Sequence, residues 1–266
     1  MKKTNLITIL SLVGLTVAVI MFIFLWKTPS KKSSAESGDS TVESKITSSN
    51  YNNSTESSDK NTQTENSTNS NSIYIATNGA LFIGDSRTVG LMEYSCIDNA
   101  DFFANVGMSV YNIHKKAIPV PKVGKVTLTE LLDNKKYDKI YIMLGINEIG
   151  YKLENTVTEY DNLIKFIKEK QPNAIIFIEA NIHVIKSRSD SDKVVNNTAI
   201  DTLNHAVSKF ANNKDIFYID ANVIFDDENK SLSSDKTEDG AHLYAKYYKE
   251  WGDWIVNQTA ALIKEE

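Results

Sequence analysis

Five short apolar runs, rich in β-branched and aromatic residues, limit the folds open to this chain: Ala80–Ile83, Asp101–Val106, Lys139–Leu144, Ala174–Glu179 and Ile216–Ile219. Each is bounded by polar or glycine positions, and continuous apolar runs of this length read as strands buried on both faces, as in parallel sheets. Between them lie segments with helical spacing. Tyr160, Leu163, Ile164 and Ile167 precede Gln171-Pro172, and Ala199, Leu203, Ala206, Val207 and Phe210 form a second set. Both predict crossover helices. Strands alternating with helices make a doubly wound α/β sheet, here of about five parallel strands with helices on both faces.

All five runs fall within Ile73–Glu266, 194 residues, a size at which one domain closes around its own core. The sequence ahead of it differs in character. Leu6–Trp26 is 21 consecutive positions without a charge, long enough at 1.5 Å per residue to cross a roughly 30 Å hydrocarbon core. A cleaved signal peptide has a shorter apolar core, about 7–15 residues, ending at a small-x-small site, whereas this run ends Phe24-Leu25-Trp26-Lys27 and no cysteine stands just after it. Residues 1–27 are therefore expected to form a single transmembrane anchor. Lysines flank both sides, so charge alone does not orient it, and the short N-terminal flank favours the N-terminus inside. Residues 28–72 are Ser, Thr, Asn, Glu, Asp and Lys with almost nothing apolar. Such a segment cannot offset its ordering entropy and reads as a disordered tether with a reach of roughly 35–40 Å. The domain at 73–266 is expected outside the cytoplasm, at the cell membrane.

Of 34 acidic and 29 basic residues, six and seven fall before residue 73, leaving a net charge of about −6 on the domain. No Lys/Arg stripe with interleaved aromatics interrupts it, which disfavours a nucleic-acid partner. Cys96 is the only cysteine; no intrachain disulfide can form, and a small buried apolar role is expected for it. His114, His183 and His205 stand singly, without the spacing of a metal site. His205, inside a helical segment, reads as structural, and Asp226-Asp227-Glu228 reads as an exposed charged turn. Neither a metal nor a cofactor is expected.

In doubly wound sheets the ligand site lies beyond the carboxyl ends of the strands. That picks out Gly84-Asp85-Ser86, Asn105-Val106-Gly107 and Gly145-Ile146-Asn147-Glu148, each directly after an expected strand. Ser86 opens an expected helix, where orphan amides stabilise negative charge; taken alone, Asp85 or Ser86 also reads as an ordinary helix cap. Near the other end, Asp239-Gly240-Ala241-His242 places a carboxylate three residues before an imidazole. Held on one turn, the pair can leave the second ring nitrogen facing a nucleophile, or it is a surface turn with a capping Asp. No Gly-x-Ser-x-Gly elbow exists, because Gly107-Met108-Ser109-Val110-Tyr111 lacks the second glycine.

Taken together and in order, Gly84-Asp85-Ser86, Gly107, Gly145-Ile146-Asn147-Glu148 and Asp239-Gly240-Ala241-His242 resemble the four blocks of the SGNH/GDSL hydrolase family, across almost all of Ile73–Glu266. The resemblance implies a flavodoxin-like sheet with Ser86 as nucleophile, His242 as base and Asp239 as its orienting partner. It also implies an oxyanion hole built from the backbone N–H groups of Ser86 and Gly107 and the side-chain amide of Asn147. Arg87 stands where the family has Leu, and is expected to alter what reaches the site. Glu148 stands where it has Asp, and is expected to position its loop. The reaction so implied is hydrolysis of an acyl ester, glycan or lipid, with a small acyl group such as acetyl. Acyl transfer to an envelope sugar and non-catalytic polymer binding are the alternatives.

Overall fold

The computed structural model of the chain describes residues 77–263, so the expected anchor and tether lie outside the described residues. Among the described residues no helix is long and apolar enough to cross a membrane. The strands are β1 (Ala80–Gly84), β2 (Asp101–Ala104), β3 (Ile118–Val120), β4 (Gly124–Val126), β5 (Lys139–Met143), β6 (Ile175–Glu179) and β7 (Ile216–Ile219). Helices α1 (Ser86–Tyr94), α2 (Leu128–Asn134), α3 (Leu153–Lys170), α4 (Lys186–Ser191), α5 (Asn197–Ser208), α6 (Asn222–Phe225) and α7 (Ala245–Leu262) connect and flank them. Five strands form one sheet in the order β2-β1-β5-β6-β7, every neighbouring pair parallel. The order reverses between β1 and β5, and a crevice opens at such a switch point beyond the strand ends.

Alternate residues of the strands supply the two cores. Leu81, Ile83, Ile140, Ile142, Ile176 and Ile178 face one side and bury against Leu128, Leu131 and Leu132 of α2, Tyr160, Leu163 and Ile167 of α3, and Leu203 and Val207 of α5. Phe82, Phe102, Tyr141, Phe177 and Phe217 face the other side, with Leu91 of α1 and Tyr248, Trp251 and Ile255 of α7. These five rings stand opposite one another in register across all five strands. They form a continuous stack, with successive centroids 4.9, 4.4, 4.8 and 5.6 Å apart. Stacked aromatic pairs add about 0.5–1.5 kcal/mol each beyond the area they bury. A one-residue slip would send any ring to the opposite core, so the stack fixes register.

Strand positions agree with the sequence reading to within one or two residues, and the differences sit mostly at the carboxyl ends. The ladder stops at Ala104 and Met143, where the chain turns into the loops that follow β2 and β5. Asn105 donates its N–H to the Gly84 carbonyl, and the Leu144 carbonyl accepts from the Asn181 side chain. On α5 the buried face is Ile200, Leu203, Asn204 and Val207, with Ala199 and Ala206 at its margins and Phe210 past the helix end. The antiparallel β3–β4 hairpin was not foreseen: its strands have three residues each, and Pro119 masks the signal.

Cys96 is a correction, since it is exposed. Helix α1 ends at Tyr94, and Cys96 takes the left-handed conformation (φ 63°) that turns the chain. Its neighbours Ser95 and Ile97 take the buried positions instead. His205 likewise lies exposed on α5 rather than packed.

Candidate active site

Helix α1 begins where β1 leaves the sheet. Asp85 is its cap, accepting the Arg87 N–H at 2.9 Å, which puts Ser86 at the first helical position beside unpaired amides. Across the crevice, a turn after Thr237 carries Asp239 and His242. An isolated antiparallel bridge between Thr237 and Leu243 closes it, the Thr237 hydroxyl accepts the Gly240 N–H at 3.0 Å, and Gly240 takes φ 80°. A Cβ on Gly240 would stand 2.9 Å from Ile185, so the turn requires glycine.

The two ends of the domain meet here. Ser86 Oγ lies 2.9 Å from His242 Nε2, and His242 Nδ1 lies 2.6 Å from Asp239 Oδ2. The other oxygen of Asp239 accepts the backbone N–H groups of Ala241 (2.9 Å) and His242 (2.8 Å). Burial alone would raise the Asp239 carboxyl, but these bonds and the imidazole outweigh it and hold it at about 2. An ionised Asp239 can only accept, so in the neutral imidazole the proton sits on Nδ1. Nε2 is then left to accept from the Ser86 hydroxyl. The pair is about half exposed, at 45% and 52%, so a solute can reach it.

The remaining loops rise from β2 and β5, whose last residues pair with Gly84 of β1. Gly107 is exposed at φ 72°, with its carbonyl accepting from Asn112 Nδ2 at 3.0 Å. Asn147 sits in a 3-10 turn (Ile146–Glu148), exposed, and donates one amide hydrogen to the Met108 carbonyl at 2.9 Å. Its second hydrogen has no acceptor among the described residues. Gly145 precedes this turn at φ 131°, where a Cβ would meet Leu203 at 2.5 Å. The structure thus brings Ser86, Asp239 and His242 into direct contact, and sets Gly107 and Asn147 on adjoining loops at the same end of the sheet. Ser109 is buried, its N–H donated to Asn112. Arg87 corrects the expectation that it bears on access: at 3% exposure it points inward, and burial lowers its pKa.

Sequence reasoning missed the shelf beneath the Asp239–His242 turn. Four buried asparagines tie down the backbone after β6: Asn204 takes the Asn181 N–H, Asn222 the His183 N–H and Asn197 the Val184 N–H, while Asn181 itself takes the Ile146 N–H. This segment meets the turn directly, since Ile185 N–H donates to the Gly240 carbonyl and Arg188 to the Asp239 carbonyl. Asn197, Ile200, Leu203, Asn204 and Val207 share one helical face, and two asparagines seven apart on an apolar face were the available signal.

His183 does not stand alone, as its two ring nitrogens are both engaged. Its Nδ1 lies 2.8 Å from Asp226 and its Nε2 2.9 Å from Asp201, with the ring side chain 7% exposed. Asp226 is therefore not part of an exposed turn, because its side chain is only 16% exposed and turned onto the histidine. Both ring nitrogens face carboxylates, and only the imidazolium can donate to both. Burial opposes that charge, but the two aspartates prevail and the pKa is raised. A raised folded-state pKa contributes stability that is complete below the unfolded value near 6.5 and is lost as pH climbs through the folded value. His183→Gln is expected to cost roughly 3 kcal/mol at pH 6, with the gap to wild type narrowing as pH rises above 6.5. Thermal melts of both proteins from pH 6 to 9 check this, and a gap constant across that window would rule out a protonated clamp.

The sequence profile of the GDSL-like Lipase/Acylhydrolase family matches residues 82–249. A search of curated proteins found no match. Among solved structures, the chain is similar to a Bacteroides fragilis protein assigned as an acylhydrolase (14% identity, 78% of this chain and 100% of that one, TM-score 0.53). It is similar to a GDSL-like lipase from Bacteroides thetaiotaomicron (14%, 76% and 97%, 0.52). It is also similar to a Streptococcus pneumonia protein assigned as a platelet activating factor (17%, 75% and 92%, 0.52). At these identities the likeness is one of fold. The profile match spans most of the chain, which therefore belongs to the GDSL-like lipase/acylhydrolase family, a family of ester-hydrolysing serine hydrolases.

Proposed function

We propose that this GDSL-like acylhydrolase is a membrane-anchored, extracytoplasmic esterase that removes small acyl groups, acetyl foremost, from an envelope glycan or related ester. The observation that carries the reading is the line of contacts from Asp239 through His242 to Ser86, at 2.6 and 2.9 Å. In the first half-reaction Ser86 Oγ bonds to the acyl carbon as its proton passes to His242 Nε2. Asp239 holds the ring and stabilises the imidazolium. The carbonyl oxygen becomes an oxyanion received by the N–H groups of Ser86 and Gly107 and the free amide hydrogen of Asn147, each such donor being worth about 2.7–4 kcal/mol. Collapse expels the alcohol, which takes the proton from His242. Water then repeats the sequence on the acyl-serine and releases the acid.

The location rests on the uncharged run Leu6–Trp26 and the polar stretch that follows it. Residues 1–27 anchor, 28–72 tether and 73–266 form the catalytic domain, held near the polymers just outside the membrane. Membranes from cells expressing the full chain, washed at high salt, are expected to hydrolyse 4-nitrophenyl acetate and release free acetate in the presence of an acetyl-accepting oligosaccharide. Acetyl found on the oligosaccharide would assign transfer instead. Activity recovered only in the wash would refute the anchor, and silence on every short ester would favour polymer binding without catalysis.

A further inference from the structure

Glu148 is a carboxylate at the site that the proposed reaction does not use, and it is 1% exposed. It arrives on the same 3-10 turn as Asn147. Its Oε1 accepts the backbone N–H of Val110 at 2.6 Å, while its Oε2 is buried with no hydrogen-bond partner among the described residues. Burying a carboxyl this way is costly, and the pKa records it: burial is the chief cause, the Val110 amide opposes it, nearby Asp85 adds to it, and the group is pushed up to about 7. Asp85 stands at the end of β1, and Tyr160 of α3 is charge-coupled to Glu148. Glu148 also lines a cavity of about 250 Å³ with Ile149, Tyr151, Thr156 and Leu203.

The geometry shows what this costly group does. Asn147 grips the carbonyl of Met108 and Glu148 grips the amide of Val110, so two consecutive residues of the β5 loop hold the β2 loop on either side of Ser109. Gly107 directly precedes the gripped stretch and has no side chain of its own to hold it. Its carbonyl is fixed by Asn112, whose Oδ1 in turn accepts the Ser109 N–H at 3.0 Å. Releasing Val110 would loosen this whole turn.

We propose that Glu148 is a positioning residue for the oxyanion hole, holding through Val110 the loop that aims the Gly107 N–H. The inference rests on the proposed reaction, and a donor moved by about 1 Å costs rate rather than ground-state affinity. Three variants separate the acceptor from the charge and from the shape. Glu148→Gln keeps an acceptor for Val110, Glu148→Met keeps the volume without one, and Glu148→Ala removes both. With 4-nitrophenyl acetate and the full chain, Glu148→Met is expected to lower kcat about 10- to 100-fold with KM within about threefold of wild type, and Glu148→Gln to restore kcat to within about threefold. Glu148→Ala serves if the Met variant does not fold, as judged by thermal melts. The proposal is overturned if Met or Ala keeps wild-type kcat, if the loss falls on KM alone, if Gln loses as much as Met, or if neither acceptor-free variant folds. Ser86→Ala, run alongside, keeps the two questions apart: full activity there would sink the proposed reaction, whatever the Glu148 series shows.

Discussion

His242→Ala is expected to lower kcat by about as much as Ser86→Ala, on the order of 10⁶ where a triad acts as a unit. At 1.36 kcal/mol per decade that is about 8 kcal/mol of barrier. The size follows from the contact at 2.9 Å between Ser86 Oγ and His242 Nε2. A hydroxyl is a poor nucleophile until its proton has somewhere to go, and the imidazole is the acceptor in contact with it. The double variant Ser86→Ala with His242→Ala should then fall little further than either single one, because each already disables the same step. A serine-directed phosphonate should label Ser86 in the wild type and fail to do so in His242→Ala. An adduct mapped to another serine would refute Ser86 as nucleophile, and near-normal turnover in His242→Ala would mean that the proton acceptor is another residue.

Asp239→Asn should cost about 10⁴ in kcat while leaving the fold intact. The reason lies in how the two carboxylate oxygens are used. Oδ1 accepts two backbone N–H groups, from Ala241 and His242, and only an oxygen can fill that position. An asparagine must therefore turn its NH₂ toward His242 Nδ1, which forces that nitrogen to accept and moves the ring proton to Nε2, facing Ser86. The base is then blocked by its own proton. Asp235→Asn and Glu238→Gln are the controls and should be nearly silent, because Asp235 is engaged by the Ser233 hydroxyl and Glu238 is exposed. Steady-state kinetics on the three variants decides the matter. Equal losses across them would point to general electrostatics rather than to a specific partner.

The strands could be read because each is a short run buried on both faces, and only their ends were uncertain. At those ends Asn105 keeps one bond to Gly84 of β1, while the Leu144 carbonyl turns to the Asn181 side chain, a contact that no local pattern announces. At the site, Ser86 and His242 were each ambiguous alone, since a serine opening a helix and an Asp-x-x-His turn are both common caps. Order and placement at strand ends made them one constellation. Asn181, Asn197, Asn204 and Asn222 were not legible in the same way. A buried asparagine is spelled like a surface one, and its partners are backbone groups far away in the chain. Asp226 was misread for the same reason, because its neighbours Asp227 and Glu228 belong to a loop while it alone turns inward to His183. Cys96 failed on a backbone requirement: the chain needed a left-handed turn there, which overrode the residue's preference for burial.

The ring stack from Phe102 through Phe82, Tyr141 and Phe177 to Phe217 gives this protein an optical signature of its sheet. No rung joins sequence neighbours, so a collapsed chain with helices formed and strands unpaired could not assemble it. Near-ultraviolet circular dichroism arises from aromatic groups held in a fixed asymmetric setting and vanishes when packing is lost while secondary structure persists. Four phenylalanines and Tyr141, drawn from every strand of the sheet, contribute to that signal beside Trp251, Trp254 and the other tyrosines of the domain. The phenylalanine fine structure within it therefore reports strand register, which far-ultraviolet spectra cannot see.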